Sequence, residues 1–261
     1  MDKNLNKQNA LNSDVIFGRN AIIEALTNCS DRINKILISK SVTNDSKINE
    51  IIDLAKENGV VFQFVPKERF LIYASMPTQG VVAYVSPVAY MDFYDFLNKK
   101  REKYSKVIIL DGVEDPHNLG AIIRTAACAG YDALIIPSRR NAQLNATVEK
   151  TSAGAINHLP IIQVNSLSNV IDKLKDNDYW IIAADAHGKD NYFDINYTDM
   201  NFAVIMGGEE TGVSKNNLKK SDMVVKIPML RDFNSLNVSN AAAAIIYESV
   251  RQIIKSEKHS V

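Results

Sequence analysis

Cysteine is scarce in this chain of 261 residues, which holds two, Cys29 and Cys128. Two thiols so far apart exclude a disulfide-stapled scaffold. Both fall in apolar helical stretches and are expected to be buried, unpaired thiols in a reducing cytoplasm. Histidine is scarce too, with four, and none has the spacing of a metal site, so no bound metal is expected. No run approaches the ~20 apolar residues that a membrane-spanning helix needs, so no membrane partner is expected. The opening MDKNLNKQNALNSD lacks the apolar core of a secretory signal, and residues 1–14 read as a disordered polar tail. Net charge is zero, so the overall balance does not mark a nucleic-acid partner. The halves differ slightly, with 15 basic against 12 acidic residues in 1–106 and 15 against 18 in 107–261. RNA binding would therefore have to rest on a local basic patch. Two glycine signatures are also missing. Without G-x-x-x-x-G-K-[ST] or G-x-G-x-x-G, a P-loop nucleotidase and a dinucleotide oxidoreductase are both disfavoured.

The composition that remains is ordinary, 46% hydrophobic and 23% charged, and the length allows two α/β domains. Residues 15–86 alternate strand-like and helix-like segments and form a small α/β domain. Residues 87–105 read as a linker, with a helix over 92–103 that ends in the charge run Lys99–Lys103. Residues 106–261 form the second domain, organised around VIILDGVEDPHNLGAIIRTAACAGYDALIIP, residues 107–137. An apolar strand, a polar loop, a helix opened by Asn118 and a second strand make a βαβ unit. That unit implies a parallel sheet covered by helices. Gly130 ends the helix as a C-terminal glycine does. The loop lies at the carboxyl end of the first strand, where open α/β sheets bind ligands. Arg124, inside an otherwise apolar helix, needs an anion, a carboxylate or water.

Two more strand ends carry polar sets. In AVIMGGEETGVS, residues 203–214, a buried strand runs into glycines that allow a sharp turn and close approach to a ligand. Glu209 and Glu210 make a diphosphate ligand unfavourable there. In KIPMLRDFNSLNVSNAAAAIIYESV, residues 226–250, Ser235, Asn237, Ser239 and Asn240 cluster at a helix start, more polar groups than one N-cap requires. In a parallel sheet all three sets share one edge.

In this order and spacing the three stretches resemble the motifs of the SpoU-type, or TrmH-like, RNA ribose 2′-O-methyltransferases, and the likeness spans residues 107–250. Residues 15–86 are similar to the ribosomal-protein-like substrate-binding domain that precedes the catalytic domain in members acting on a guanosine of large-subunit ribosomal RNA. Phe17–Leu26 carries that likeness. The resemblance implies an S-adenosylmethionine-dependent enzyme, an α/β fold with a deep trefoil knot in its parallel-sheet domain, and a homodimer acting on RNA. It implies catalytic roles for Asn118, Arg124, Glu209, Ser235 and Asn237, and cofactor-binding loops around Gly207, Ile227 and Leu236. Asn118 would orient the ribose or Arg124, and Glu209 would hold the loop or Arg124. Ser235 and Asn237 would shape the site between cofactor and substrate. The family's arginine is assigned a part in proton transfer. Because a guanidinium holds its proton tightly, a bidentate grip on the phosphate next to the target ribose is the preferred role for Arg124. Gly208 stands where many relatives have alanine, serine or asparagine, and reads as added flexibility. Transfer RNA as substrate, and a non-catalytic RNA-binding protein of the same fold, are the alternatives.

A chain lacking residues 1–105 is expected to keep cofactor binding and dimerisation. Its RNA affinity and the salt dependence of binding should both fall, because fewer phosphates are neutralised. Calorimetry and filter binding at several salt concentrations check this.

Overall fold

The protein is described from a computed structural model covering residues 15–42, 45–101, 103–233 and 235–259. The expected tail, residues 1–14, lies outside them. Along the chain run β1 (Val15–Phe17), α1 (Arg19–Asn28), β2 (Ile33–Ser39), α2 (Ser46–Glu57), β3 (Phe62–Val65), a 3-10 helix (Lys67–Tyr73) and β4 (Val81–Val85). Then come α3 (Phe93–Asn98), β5 (Lys106–Asp111), α4 (Pro116–Cys128), β6 (Ala133–Pro137), α5 (Ala146–Ser152), β7 (Ile161–Val164) and α6 (Leu167–Lys175). The last elements are β8 (Tyr179–Ala184), β9 (Asp190–Asn191), β10 (Asn201–Gly207), α7 (Lys215–Lys220), β11 (Met223–Lys226) and α8 (Val238–His259).

The first compact unit comprises residues up to 88 together with 144–157. Its sheet has the order β1-β4-β2-β3, with β2 and β3 parallel and the other pairs antiparallel. Helices α1 and α2 bury Ile22, Leu26, Ile48 and Ile51 against Ile36, Ile38, Val81 and Ala83 of the strands. Asp45 caps α2 by accepting from the Lys47 N–H. The segment 144–157 was expected to belong wholly to the second domain, yet it packs here. Arg32 explains this, because its guanidinium donates to the Ser86 carbonyl, to Asn157 Oδ1 at 2.7 Å and to Glu149 Oε1 at 2.6 Å.

The second unit, residues 89–143 and 158–261, is built on a seven-stranded sheet of order β7-β6-β5-β10-β8-β11-β9. Every pairing in it is parallel. Central strands such as β5 and β10 are buried almost throughout, which is why they read as unbroken apolar runs. The register aligns the strand ends. Gly207 lies beside Asp111, Met206 beside Ala184, and Val225 beside Ala184, so the loops after β5, β8, β10 and β11 emerge at one level. On one face α4 packs against α8. Tyr131, Phe202 and Tyr197 stack edge to face at 6.0 and 5.4 Å. Tyr131 and Ser249 share a hydrogen bond of 3.0 Å that ties α8 to the sheet. Burial raises the phenols of Tyr131 and Tyr197 above their ordinary range, which keeps both neutral.

Three expectations are corrected. The region expected as a linker contributes Phe93 and Phe96 to the core of the second unit, because the amphipathic turn capped by Asp92 has an apolar side to bury. A cut at residue 105 would strip both from that core, so the packing boundary is 88/89 and the truncation that tests the first unit has to start at residue 89 instead. Helix α4 begins at Pro116, with Asp115 as its N-cap accepting from the His117 N–H, so Asn118 lies inside the first turn. Cys128 is exposed while Cys29 is buried. At 100° per residue Cys128 falls opposite the stripe of Leu119, Ile122, Ile123 and Ala126 that faces the core. The short edge strand β9 had no sequence signal.

Phe96→Ala should destabilise the second unit by about 3–5 kcal/mol, the usual cost of emptying a buried aromatic site. Phe96 is 1% exposed and its ring carries the Arg101 guanidinium at 4.1 Å. Urea denaturation followed through Trp180, the single tryptophan and a β8 residue, measures the change.

Candidate active site

Three loops at the carboxyl edge of the parallel sheet close a cleft of about 750 Å³, within the range of small-molecule sites. Its wall includes Asp185 and His187 after β8, Gly207–Gly212 after β10, and Ile227, Ser235, Leu236 and Val238 between β11 and α8. Among the expected site residues, Gly207, Glu209, Ile227, Ser235 and Leu236 therefore line one cavity.

Hydrogen bonds join the three motifs at one point. Asn118 Nδ2 donates to Glu209 Oε1 at 3.0 Å. Asn237 Nδ2 donates to Glu209 Oε1 at 2.7 Å and to Asn118 Oδ1 at 3.0 Å. Asn237 Oδ1 accepts from the N–H groups of Ser239 and Asn240, so the same side chain caps α8. The polar surplus at that helix start is thus divided between capping and the site. Arg124 is not drawn into this cluster. It sits six residues beyond Asn118 on α4, about 9 Å along the axis. It is exposed, and no described residue accepts a hydrogen bond from it.

The Glu209 loop is shaped by a residue that the sequence reading passed over. Asp111 ends β5, and its Oδ2 accepts from the Ser214 N–H and from Asn217 Nδ2, both at 2.9 Å. Its carbonyl accepts from the Gly208 N–H at 2.9 Å. An acidic residue closing a buried apolar strand was the available signal. Gly208 is not a point of added flexibility. A Cβ built there would lie 2.1 Å from the Gly112 carbonyl oxygen, and one on Gly207 would lie 2.1 Å from the Gly212 carbonyl carbon. At both positions in this chain backbone packs directly on backbone, so a side chain there would require the Gly112 or Gly212 loop to shift.

The charge of the cleft favours a cation. Asp185 and Glu209 contribute carboxylates, and Asp185 Oδ1 is held by the His187 N–H at 2.9 Å. Met206, Ile227, Leu236 and Val238 supply apolar surface. With Glu210 added and Lys226 set against the three carboxylates, the lining stays net negative and suits a cationic ligand better than a polyphosphate. Among the described residues no group of three or more His, Cys, Asp or Glu could hold a metal ion. No helix of the described residues is long and apolar enough to cross a membrane.

Residues 105–247, more than half of the chain, match the model of the SpoU rRNA methylase family. The chain belongs to that family. SpoU-family enzymes are RNA methyltransferases that use S-adenosylmethionine, and the cleft chemistry is in keeping with that cofactor. Residues 15–91 match the substrate-binding model of RNA 2′-O ribose methyltransferases. A Staphylococcus epidermidis protein named as a TrmH-family tRNA/rRNA methyltransferase is 45% identical over 248 residues, 94% of this chain and 98% of that protein. The SpoU methyltransferase AviRb from Streptomyces viridochromogenes, solved with AdoMet, shares 26% identity and a TM-score of 0.76 over 96% of this chain and 94% of its own. The A. aeolicus TrmH/SpoU tRNA-modifying enzyme is 27% identical with a TM-score of 0.55, over 64% of this chain and 83% of its own.

Asp111→Ala should lower stability by about 3 kcal/mol, since hydrogen bonds to a charged acceptor are the stronger kind. It should also weaken cofactor binding, because Ser214 and Asn217 no longer fix the loop. Asp111→Asn keeps one acceptor and should lose less. Urea denaturation and cofactor calorimetry on the two variants check the order.

Proposed function

We propose that the chain methylates the 2′-oxygen of a ribose in ribosomal RNA, with a guanosine of the large-subunit RNA as its target. The observation that carries this reading is the Asn118–Glu209–Asn237 triangle, which closes the three motifs on one another at the rim of the cleft. The match of residues 15–91 to a ribose methyltransferase substrate-binding domain supports the ribose as the accepting group.

In this reading the backbone around Gly207, Ile227 and Leu236 holds S-adenosylmethionine, with Asp185 and Glu209 balancing its positive charge. When bound, the cofactor supplies an electrophilic methyl group on a sulfonium. The chain's task is then to place one ribose oxygen in line with that methyl and to exclude others. Asn118 has one amide hydrogen left outside the triangle, and Glu209 Oε2 meets no donor among the described residues. In this reading both orient the ribose hydroxyls. Ser235, on the cleft wall, shapes the space between cofactor and substrate. Arg124, exposed and unpaired with any described carboxylate, grips the phosphate next to the target ribose. The first unit docks the RNA by shape and phosphate contacts.

Three further properties belong to the same proposal: a homodimer that buries part of α8, a trefoil knot in the second unit, and a cytoplasmic location. Exposed Tyr247 and Ile254 on α8 support the dimer.

Mapping 2′-O-methyl marks in RNA from cells without this protein tests the substrate. Loss of one large-subunit guanosine mark is the expected result. Loss of a transfer-RNA mark would redirect the reading, and an unchanged map would replace it with a non-catalytic RNA-binding role. Arg124→Ala should lower methyl transfer by about 100-fold or more, as loss of a positioning contact does, with cofactor affinity unchanged. Arg124→Lys should rescue poorly because it lacks the planar fork. Single-turnover transfer assays paired with cofactor calorimetry read both effects.

A further inference from the structure

We infer that Arg139 and Arg140, outside the three motifs, hold the RNA backbone beside the ribose that is modified. This rests on the ribose methyltransferase reading and adds a positioning pair to it. The two arginines follow β6, which borders β5 on the side away from β10. Along the carboxyl edge the order is therefore the arginine pair, the loop leading to Asn118, the Glu209 loop, and Asp185 after β8. Neighbouring strands lie about 4.8 Å apart, so β6 stands one spacing from β5 and two, about 10 Å, from β10.

Backbone packing ties these loops together. A Cβ on Gly112 would lie 3.9 Å from the Arg140 carbonyl oxygen, and one on Gly208 would lie 2.1 Å from the Gly112 carbonyl oxygen. The arginine loop thus lies beside Gly112, which in turn packs closely on Gly208, next to Glu209. The arginine loop is also rigid. Buried Asn141 accepts from the Val113 N–H at 3.1 Å and donates to the Ala142 carbonyl at 3.0 Å. The Ala142 N–H donates to the Val113 carbonyl at 2.8 Å, and the Ser138 N–H to the Val164 carbonyl at 2.8 Å. Between these anchors Arg140 has φ of 54°, a left-handed conformation uncommon for a bulky residue. Strain held by surrounding bonds concentrates at functional positions, and here it fixes where a cation is presented.

Charge completes the case. Arg139 and Arg140 are exposed, and neither pairs with a carboxylate among the described residues. The opposite stretch of the edge carries Asp185, Glu209 and Glu210. A cationic cofactor is drawn to the acidic end and a polyanion to the arginine end. Guanidinium groups match phosphate oxygens two at a time, which positions a strand without reading its bases.

The test uses the full chain, unmodified large-subunit ribosomal RNA transcribed in vitro, and the double variant Arg139→Ala/Arg140→Gly. Glycine at 140 keeps the left-handed backbone, so charge is removed without a new strain. Two lost contacts on a single strand should reduce the slope of log affinity against log salt by about 1.4. The KM for RNA should rise at least about tenfold, as one lost charge-assisted contact already implies. Cofactor affinity should stay unchanged and kcat should change little, which a merely structural role would not produce. Arg139→Lys/Arg140→Lys should restore the salt slope but only part of the KM. An unchanged RNA KM and salt slope in the double variant would overturn the inference. If the unaltered chain transfers no methyl to ribose, the enzymatic reading fails, while the salt slope still decides whether these arginines hold RNA.

Discussion

The site depends on two loops meeting with no side chain between them. Gly208 lies against the Gly112 carbonyl and Gly207 against Gly212, each so close that a single added carbon would overlap backbone atoms. This contact is possible because β10 lies beside β5 in parallel, with Gly207 level with Asp111. Asp111 then locks the arrangement by accepting from Ser214 and Asn217 on the far side of the loop. Once the two loops are joined, Glu209 is within reach of Asn118 on the helix after β5. Asn237 completes the triangle from the helix after β11.

The triangle has an economy that follows from amide chemistry. An asparagine offers both donors and an acceptor, so Asn118 and Asn237 can bond each other and the same carboxylate oxygen. Asn237 also caps α8 with its remaining oxygen. The start of the C-terminal helix and the geometry of the site are therefore set by one side chain. Tyr131 and Ser249 hold that helix on the sheet at its middle. The cleft that results is acidic and apolar, a poor place for phosphate and a suitable one for a sulfonium.

The two units are joined in sequence more intimately than a linker between domains suggests. Residues 144–157 leave the second unit's chain path to pack beside Arg32, and residues 89–105 carry aromatic side chains into the second unit's core. Neither fact is visible in composition. The charge run at 99–103 carries no sign that Phe93 and Phe96 just before it are buried, and Arg32 has no sequence pattern that names Glu149 as its partner.

Local patterns determined the elements themselves. Apolar runs marked β5, β10 and β8, amphipathic spacing marked α2, and Ser166 capped α6 as its position implied. The three polar strand ends, and the family resemblance they carry, were legible because glycine, asparagine and acidic residues interrupt apolar strands there. Cys128 is exposed because it lies about 180° from the buried stripe, although its neighbours in sequence are apolar. The strand order and the register were beyond local pattern, because parallel pairing joins residues far apart in the chain. Tertiary structure alone decided that Glu209 faces Asn118 and Asn237, that Arg124 stays outside their hydrogen bonds, and that Asp111 shapes the loop between them. Hydrogen bonds of that kind depend on distances of about 3 Å, which only a settled sheet register can fix.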